Sequence, residues 1–132
     1  MNRTFACALL AFSFAPCSAQ DAQVTRLHCE GTYNNYGDAE LRDISAKGIL
    51  VEVSGDKVRI QGSIAFDTDY SVTTRLETGL GIVARSNQSY SGFLNRFSGQ
   101  LSLSERGEAA KDGTYKVRQT LSANCKKAAP LF

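Results

Sequence analysis

Apolar and polar residues alternate with a period of two along most of the chain beyond residue 23. The first such segment has Cys29 and Tyr33 in its apolar row, and the last has Gln119 and Cys125 there. Because successive side chains of a strand point to opposite faces, this pattern predicts strands with one buried row and one solvent-facing row. Turn-forming stretches such as Ser54 to Lys57 separate the runs, as in hairpins. The sequence therefore predicts an all-β domain of about seven to eight antiparallel strands.

Cys29 and Cys125 stand near the two ends of this domain, and both fall in the apolar row of their strands. We predict a disulfide between them. Because bonded cysteines have Cα atoms within about 7 Å of each other, the first and last strands must then lie close together. Such a link either closes the sheet into a small barrel or ties the two sheets of a sandwich at one end.

Residues 1–19 have the three parts of a secretory signal peptide. Arg3 supplies an early positive charge, an apolar run follows, and small residues precede Ala19. The run is shorter than the roughly 20 apolar residues that a membrane span requires. We predict cleavage after Ala19, which leaves residues 20–132 as a single domain in the periplasm or secreted from the cell.

The cysteine count agrees with export. Cys7 and Cys17 would leave with the signal peptide, so that an even pair remains for an oxidising compartment. The alternative is a lipoprotein, with a lipid anchor on Cys17. Pro16 directly before that cysteine, and Phe14 where Leu is usual, favour ordinary cleavage.

Several segments depart from simple alternation. Asp38 to Lys47 is predicted as a short helix or, equally, as an irregular strand. Alternation continues from Val58 to Phe66, which predicts one strand, and from Phe93 to Ser104, which predicts one long strand with a bend at its glycine. Glu105 to Gly113 is charged and contains glycine, so it is predicted as a loop.

Charge and motifs exclude several classes of function. The chain has 15 Lys and Arg against 13 Asp and Glu, a net charge of +2, and these charges alternate in sign, which argues against a nucleic-acid surface. His28 is next to Cys29 but in a strand faces the opposite way, so the two do not suit one metal ion. There is no zinc-ligand spacing, phosphate loop or nucleophile elbow, so neither metal nor cofactor is predicted. We predict a binding module rather than an enzyme, with a hydrolase using an unidentified carboxylate pair as the alternative.

Two amides are candidate ligand-binding residues. Asn95 and Gln119 interrupt apolar rows that are predicted to face inward. A buried amide must find hydrogen-bond partners or cost about 1 to 3 kcal/mol. The two amides could bond each other, or backbone at a bulge, or they could orient a small apolar ligand in the mouth of the barrel.

A second candidate is the stretch from Tyr33 to Gly37. Tyr33, Asn35 and Tyr36 would put aromatic and amide groups on one loop, as in many recognition loops, although a plain turn also explains them. With the polar stretch from Ser86 to Gly92, this loop could bind another protein, such as an enzyme of the cell envelope.

Two short stretches near the end of the chain resemble small exported bacterial proteins of unknown function. They read Asn95-Arg96-x-x-Gly99 and Cys125-Lys126-x-Ala128 followed by Leu131-Phe132. The resemblance covers the last third of the chain. It implies export from a bacterial cell and a domain that ends near Phe132, and it implies no activity.

The opening strand, Cys29-Glu30-Gly31-Thr32-Tyr33, resembles that of lipocalin-type barrels, with Tyr33 where those proteins have Trp. This resemblance implies a barrel. In size, export and single disulfide the chain is similar to small secreted lysozyme inhibitors of bacteria. Their inhibitory Ser-Gly-x-x-Tyr motif is absent here, since Ser91-Gly92 is followed by Phe93-Leu94-Asn95.

Overall fold

A computed structural model describes residues 23–128, which form a closed antiparallel β-barrel. The predicted all-β barrel is confirmed, and the sandwich alternative is wrong. Predictions for the signal peptide (residues 1–19), for lipidation of Cys17 and for Leu131 and Phe132 lie outside the described residues. The eight strands follow one another in sequence order, and the last pairs with the first: β1 (Val24–Asn35), β2 (Ile44–Ser54), β3 (Lys57–Gln61), β4 (Thr68–Leu76), β5 (Gly79–Ala84), β6 (Tyr90–Asn95), β7 (Gln100–Ala109) and β8 (Tyr115–Lys127).

The predicted alternation produces one apolar core inside the barrel. Every second side chain of the strands points inward, and the inward side chains near mid-height have almost no contact with solvent. Burying a side chain of this kind contributes about 1.5 to 3 kcal/mol, so these rows supply most of the energy that holds the sheet closed. The most deeply buried aliphatic residues of the core are Ile49, Val51, Val58, Ile60, Ile82, Leu101, Leu103 and Leu121.

The predicted disulfide lies on the seam that closes the barrel. Cys29 of β1 and Cys125 of β8 are direct partners in the register, with their Cα atoms 4.0 Å apart, and both side chains are buried. The strands approach very closely two residues further along. A Cβ at Gly31 would lie 2.5 Å from the Cα atom of Ala123, so only glycine fits there.

The stretch Asp38 to Lys47, predicted as a short helix or an irregular strand, contains one helical turn and then the start of a strand. The Asp38 side chain accepts a hydrogen bond from the backbone N–H of Glu40 (2.9 Å), but the helix that it caps is a single 3-10 turn, Ala39–Leu41. Strand β2 begins at Ile44. Gly48 therefore does not end a helix; it lies within β2 with φ +73°, beside a break in the β1–β2 register.

The prediction of one strand from Val58 to Phe66 is wrong beyond Gln61. Gly62 and Ile64 have φ angles of +79° and +73°, which turn the chain out of the sheet. Asp67 fixes this turn by accepting hydrogen bonds from the backbone N–H groups of Gly62 (2.9 Å) and Ser63 (2.7 Å). The connection formed by residues 62–67 thus buries Phe66 completely and covers one end of the barrel, here called the closed end.

The prediction of one long strand from Phe93 to Ser104 is also wrong. Asn95 ends β6, and its side-chain Oδ1 accepts hydrogen bonds from the backbone N–H groups of Phe97 and Ser98, both at 2.9 Å. Gly99, with φ +76°, completes a turn before β7 begins. The inward residue of β6 is consequently Leu94, because the turn changes the phase of the alternation.

The stretch Glu105 to Gly113 is not a loop over most of its length. Strand β7 continues to Ala109, where it pairs with Tyr115 of β8, and only residues 110–114 form the turn. The register shifts on both sides of Arg106. The outer parts of β7 and β8 therefore extend beyond the barrel wall as a two-stranded ribbon, which explains why Val117 is half exposed despite its inward phase.

Candidate functional site

The end of the barrel opposite the 62–67 connection is open, and we call it the mouth. It is bordered by the start of β1, the end of β8 and the turns that join β2 to β3, β4 to β5 and β6 to β7. A cavity of about 580 Å³ opens here. Its apolar wall comes from residues near the ends of five strands and from one turn: Leu27, Val53, Leu76, Leu80, Leu94 and Phe97.

The inward side chains at this end are less buried than those at mid-height of the barrel. The inward residues Leu27, Val53 and Leu80 are only partly buried, because no connection within residues 23–128 comparable to residues 62–67 crosses above them. At the rim, Leu76 is 53% exposed and Phe97 is 75% exposed. Exposed apolar groups that cluster around an opening are typical of a binding surface, whereas isolated ones are not.

The charged residues that line the mouth are all basic: Arg75, Arg96 and Lys127. Arg75 donates hydrogen bonds to the backbone carbonyl of Gly55 (2.7 Å) and to Oδ1 of Asp56 (2.9 Å), so its charge is already paired. Arg96 and Lys127 form no ion pair within residues 23–128. The mouth thus joins an apolar wall to two cationic side chains that are free to meet a ligand.

Asn95 and Cys125 also line the mouth. The hydrogen bonds that the Asn95 side chain accepts from the backbone of Phe97 and Ser98 hold the turn that carries Arg96 and Phe97. Cys125 ties the end of β8 to β1 through the disulfide. Both residues fix the outline of the cavity.

The closed end holds a buried polar network instead of a cavity. Tyr33 donates its hydroxyl proton to Oε1 of Gln119, and Nε2 of Gln119 donates to Oε1 of Glu105 at 2.8 Å. Nδ2 of Asn35 reaches the Tyr33 hydroxyl at 3.4 Å. Gln119 is 7% exposed, and these partners satisfy both ends of its amide.

Two aromatic rings complete this end. The rings of Phe66 and Tyr90 meet edge to face, with their centroids 5.4 Å apart. Burial raises the pKa of Tyr90, and the nearby Glu105 carboxylate raises it further. The closed end is therefore filled by packed aromatic rings and by hydrogen-bonded polar side chains.

The residues that the sequence indicated as ligand-binding are divided between the two ends. Asn95 lies at the mouth, whereas Gln119, Tyr33, Asn35 and Tyr36 lie at the closed end. Asn95 and Gln119 therefore do not bond each other; Asn95 bonds backbone at a turn, and Gln119 bonds Tyr33 and Glu105.

The prediction of a loop starting at Tyr33 is wrong, because β1 continues to Asn35 and buries the Tyr33 side chain. Tyr36 does lie on an exposed loop, where the guanidinium carbon of Arg42 is 4.7 Å from its ring centroid. Residues 85–89 form the β5–β6 connection at the same end of the barrel, so the stretch from Ser86 to Gly92 is a connection only as far as Ser89 and continues as the start of β6.

Sequence reasoning did not identify Leu76, Phe97, Arg96 or Lys127 as residues of the mouth. Alternation places both Leu76 and Phe97 in rows that are predicted to be buried, so it carries no signal that they lie at an exposed rim.

A second concave area lies on the outer wall across β2, β1 and β8, and measures about 500 Å³. It is lined largely by polar groups, including His28, Glu30 and Lys126. In residues 23–128, no three His, Cys, Asp or Glu side chains come together as a metal site. This area therefore offers less apolar contact than the mouth.

Within the described part of the chain, no helix has the length and apolar character to cross a lipid bilayer. No protein-family model matches the sequence, and no curated protein or solved structure shows significant similarity to it.

Proposed function

We propose that this chain is a binding module that holds a small apolar molecule in the mouth of its barrel, and that it works after export to an oxidising compartment. The observation that carries the proposal is the apolar cavity at the one end of the barrel that residues 23–128 leave uncovered. The disulfide between Cys29 and Cys125 supports the choice of compartment, since such bonds persist in oxidising surroundings.

The size and lining of the cavity support this function. A volume of about 580 Å³ falls within the roughly 300 to 1,000 Å³ range of small-molecule sites. Below the mouth, Leu101 and Leu121 are almost completely buried. A ligand would therefore rest on a rigid apolar floor, with the side chains of Leu76 and Phe97 against its flanks.

A hydrolase that uses a carboxylate pair gains no support from the carboxyl groups whose pKa is displaced. Burial alone would raise the pKa of Asp67, but hydrogen bonds from Ser63 and Gly62 outweigh it and lower the pKa. The pKa values of Asp69 and Asp112 are also lowered, by hydrogen bonds from Arg59 and Thr114 respectively. A general acid needs a raised pKa, so none of these three groups suits that role.

Binding of a neutral fluorescent probe, N-phenylnaphthylamine, tests the proposal. We expect the wild-type chain to bind it with an increase in fluorescence. The double variant Leu76→Gln, Phe97→Gln removes apolar contact at the rim and should weaken binding about tenfold, which corresponds to about 1.4 kcal/mol. Both side chains are more than half exposed, so the barrel should fold normally.

The matched control is Leu41→Gln, Val117→Gln, which removes two exposed apolar side chains at the closed end. It should bind the probe as the wild type does. A wild-type chain that does not bind the probe, or a mouth variant that binds it as tightly as the control, would overturn the proposal.

A further inference from the structure

We propose that the ligand of the mouth is an anionic amphiphile, with its alkyl chain on the apolar wall and its acidic head group between Arg96 and Lys127. The inference rests on the proposed function and specifies the chemical class of the ligand. It follows from the combination in one cavity of six large apolar side chains with charged residues of a single sign.

The basic residues stand on the rim of the mouth. Lys127 is the last residue of β8, and Arg96 is the first residue of the β6–β7 turn, so each lies where a strand meets solvent. The inward wall directly below them is formed by Leu27 and Leu94. An amphiphile that puts its chain on this wall would leave its head group at the level of the two cations.

These cations differ from two basic residues of the outer wall, which form ion pairs. Arg26 and Arg59 lie on the outer wall and are paired with Glu52 and Asp69, each at 2.8 Å. Glu77 lies on the β4–β5 turn at the same end but does not line the cavity. A carboxylate or phosphate entering the mouth would therefore meet two cations that have no ion-pair partner among residues 23–128, and no lining acid.

Arginine and lysine bind acidic head groups by charge-assisted hydrogen bonds, with arginine able to donate two in parallel. Because the mouth is open to water, each cation should contribute modestly, in the range of an exposed ion pair. Together they should favour an anionic amphiphile over a neutral one with the same chain by about tenfold.

Four probes with a chain of twelve carbon atoms, which in laurate includes the carboxylate carbon, test this inference: laurate, dodecyl phosphate, dodecanol and dodecyltrimethylammonium. Each is added to displace N-phenylnaphthylamine from the wild-type chain, below its micellar concentration or, for dodecanol, below its solubility limit. We expect laurate and dodecyl phosphate to bind about tenfold more tightly than dodecanol, and the cationic probe to bind most weakly. A preference between the two anions would identify the head group as a carboxylate or a phosphate.

The variant Arg96→Gln, Lys127→Gln should reduce binding of the anionic probes about tenfold while leaving dodecanol unchanged. The matched control Lys47→Gln, Lys111→Gln removes the same charge from exposed residues outside the mouth and should leave all affinities unchanged. Circular dichroism checks that both variants fold.

The outcomes separate this inference from the proposed function. Dodecanol that binds as tightly as laurate, or a mouth variant that keeps its full affinity for laurate, would refute the anionic ligand and leave an apolar site intact. Failure of all four probes to displace N-phenylnaphthylamine would refute the anionic ligand, whereas failure of N-phenylnaphthylamine itself to bind would refute the proposed function as well.

Discussion

Gln119 shows how one polar residue can be accommodated in an apolar interior. Its amide is buried, but its oxygen accepts from Tyr33 and its nitrogen donates to Glu105, so neither polar atom is left without a partner. A buried polar group with its bonds made costs little, whereas losing a partner costs the full desolvation of the group left behind. Truncating a side chain of this network is therefore expected to lower the free energy of unfolding.

We predict that Gln119→Ala lowers the free energy of unfolding by about 2 to 3 kcal/mol, because the Tyr33 hydroxyl and the Glu105 carboxylate each lose a partner. Tyr33→Phe breaks one of the same bonds and should cost about 1 to 2 kcal/mol. Urea unfolding of the two single variants and the double variant would give a coupling energy between these residues. Additive effects would contradict the network.

Asn124→Ala is the control on the same strand, because that side chain is exposed on the outer face of β8. It should change stability by less than about 0.5 kcal/mol. An equal loss for Asn124→Ala and Gln119→Ala would indicate that the strand, and not the network, is responsible.

The inward position of Gln119 could be predicted from the sequence, and the position of Asn95 could not. Alternation runs unbroken from Gln119 to Cys125, so the phase of that strand is determined by its cysteine. Between Phe93 and Leu101 a turn intervenes, and its length decides which neighbour points inward. Because the side chains of a strand alternate, this turn shifts the phase of the strand by one residue, so that Leu94 points inward where alternation had predicted Asn95.

At the scale of elements, the 62–67 connection explains why the barrel has one closed end. Ser63 donates its backbone N–H and its hydroxyl to the Asp67 carboxylate, and the Tyr70 hydroxyl donates to the carbonyl of Phe66 at 2.9 Å. These bonds hold Phe66 inside the barrel. Sequence alternation could not reveal this, because Ile64 and Phe66 continue the apolar phase of β3 although the chain has already left the sheet.

This connection should make stability depend on acid pH. The pKa of Asp67 is lowered in the folded chain below its ordinary value of 3.8, so the unfolded chain binds protons more readily. The resulting stabilisation is fully present well above 3.8 and is lost as the pH falls through the lower, folded-state pKa. We predict that Asp67→Asn weakens the acid dependence of the urea midpoint, and that it lowers stability at neutral pH by about 1 kcal/mol.

Tyr70→Phe is the matched control, since it removes a hydrogen bond to the same connection without removing a carboxylate. It should lower the midpoint at every pH and keep the wild-type acid dependence. An Asp67→Asn profile parallel to that of the wild type would contradict the role given to the carboxylate.

At the scale of the whole molecule, closure of the barrel depends on the β1–β8 seam. Nine residue pairs join the two strands, from Leu27 with Lys127 to Asn35 with Gln119, and the disulfide lies at the third of them. The sequence could predict that these strands meet, because both cysteines are in the inward phase. It could not predict the uncovered mouth, which depends on where each turn lies in space.

We predict that the double variant Cys29→Ala, Cys125→Ala still folds, because the hydrogen-bonded ladder of the seam remains. Its free energy of unfolding should be lower by about 2 to 4 kcal/mol, since the unfolded chain is no longer constrained by a link across 96 residues. The dependence of that free energy on urea concentration should become steeper, because a chain without the link exposes more surface on unfolding. Wild-type protein unfolded in the presence of a reductant should behave like the variant. If reduction leaves the wild-type urea midpoint unchanged, the seam is held by strand pairing and core packing alone, and the disulfide does not limit the opening of the barrel.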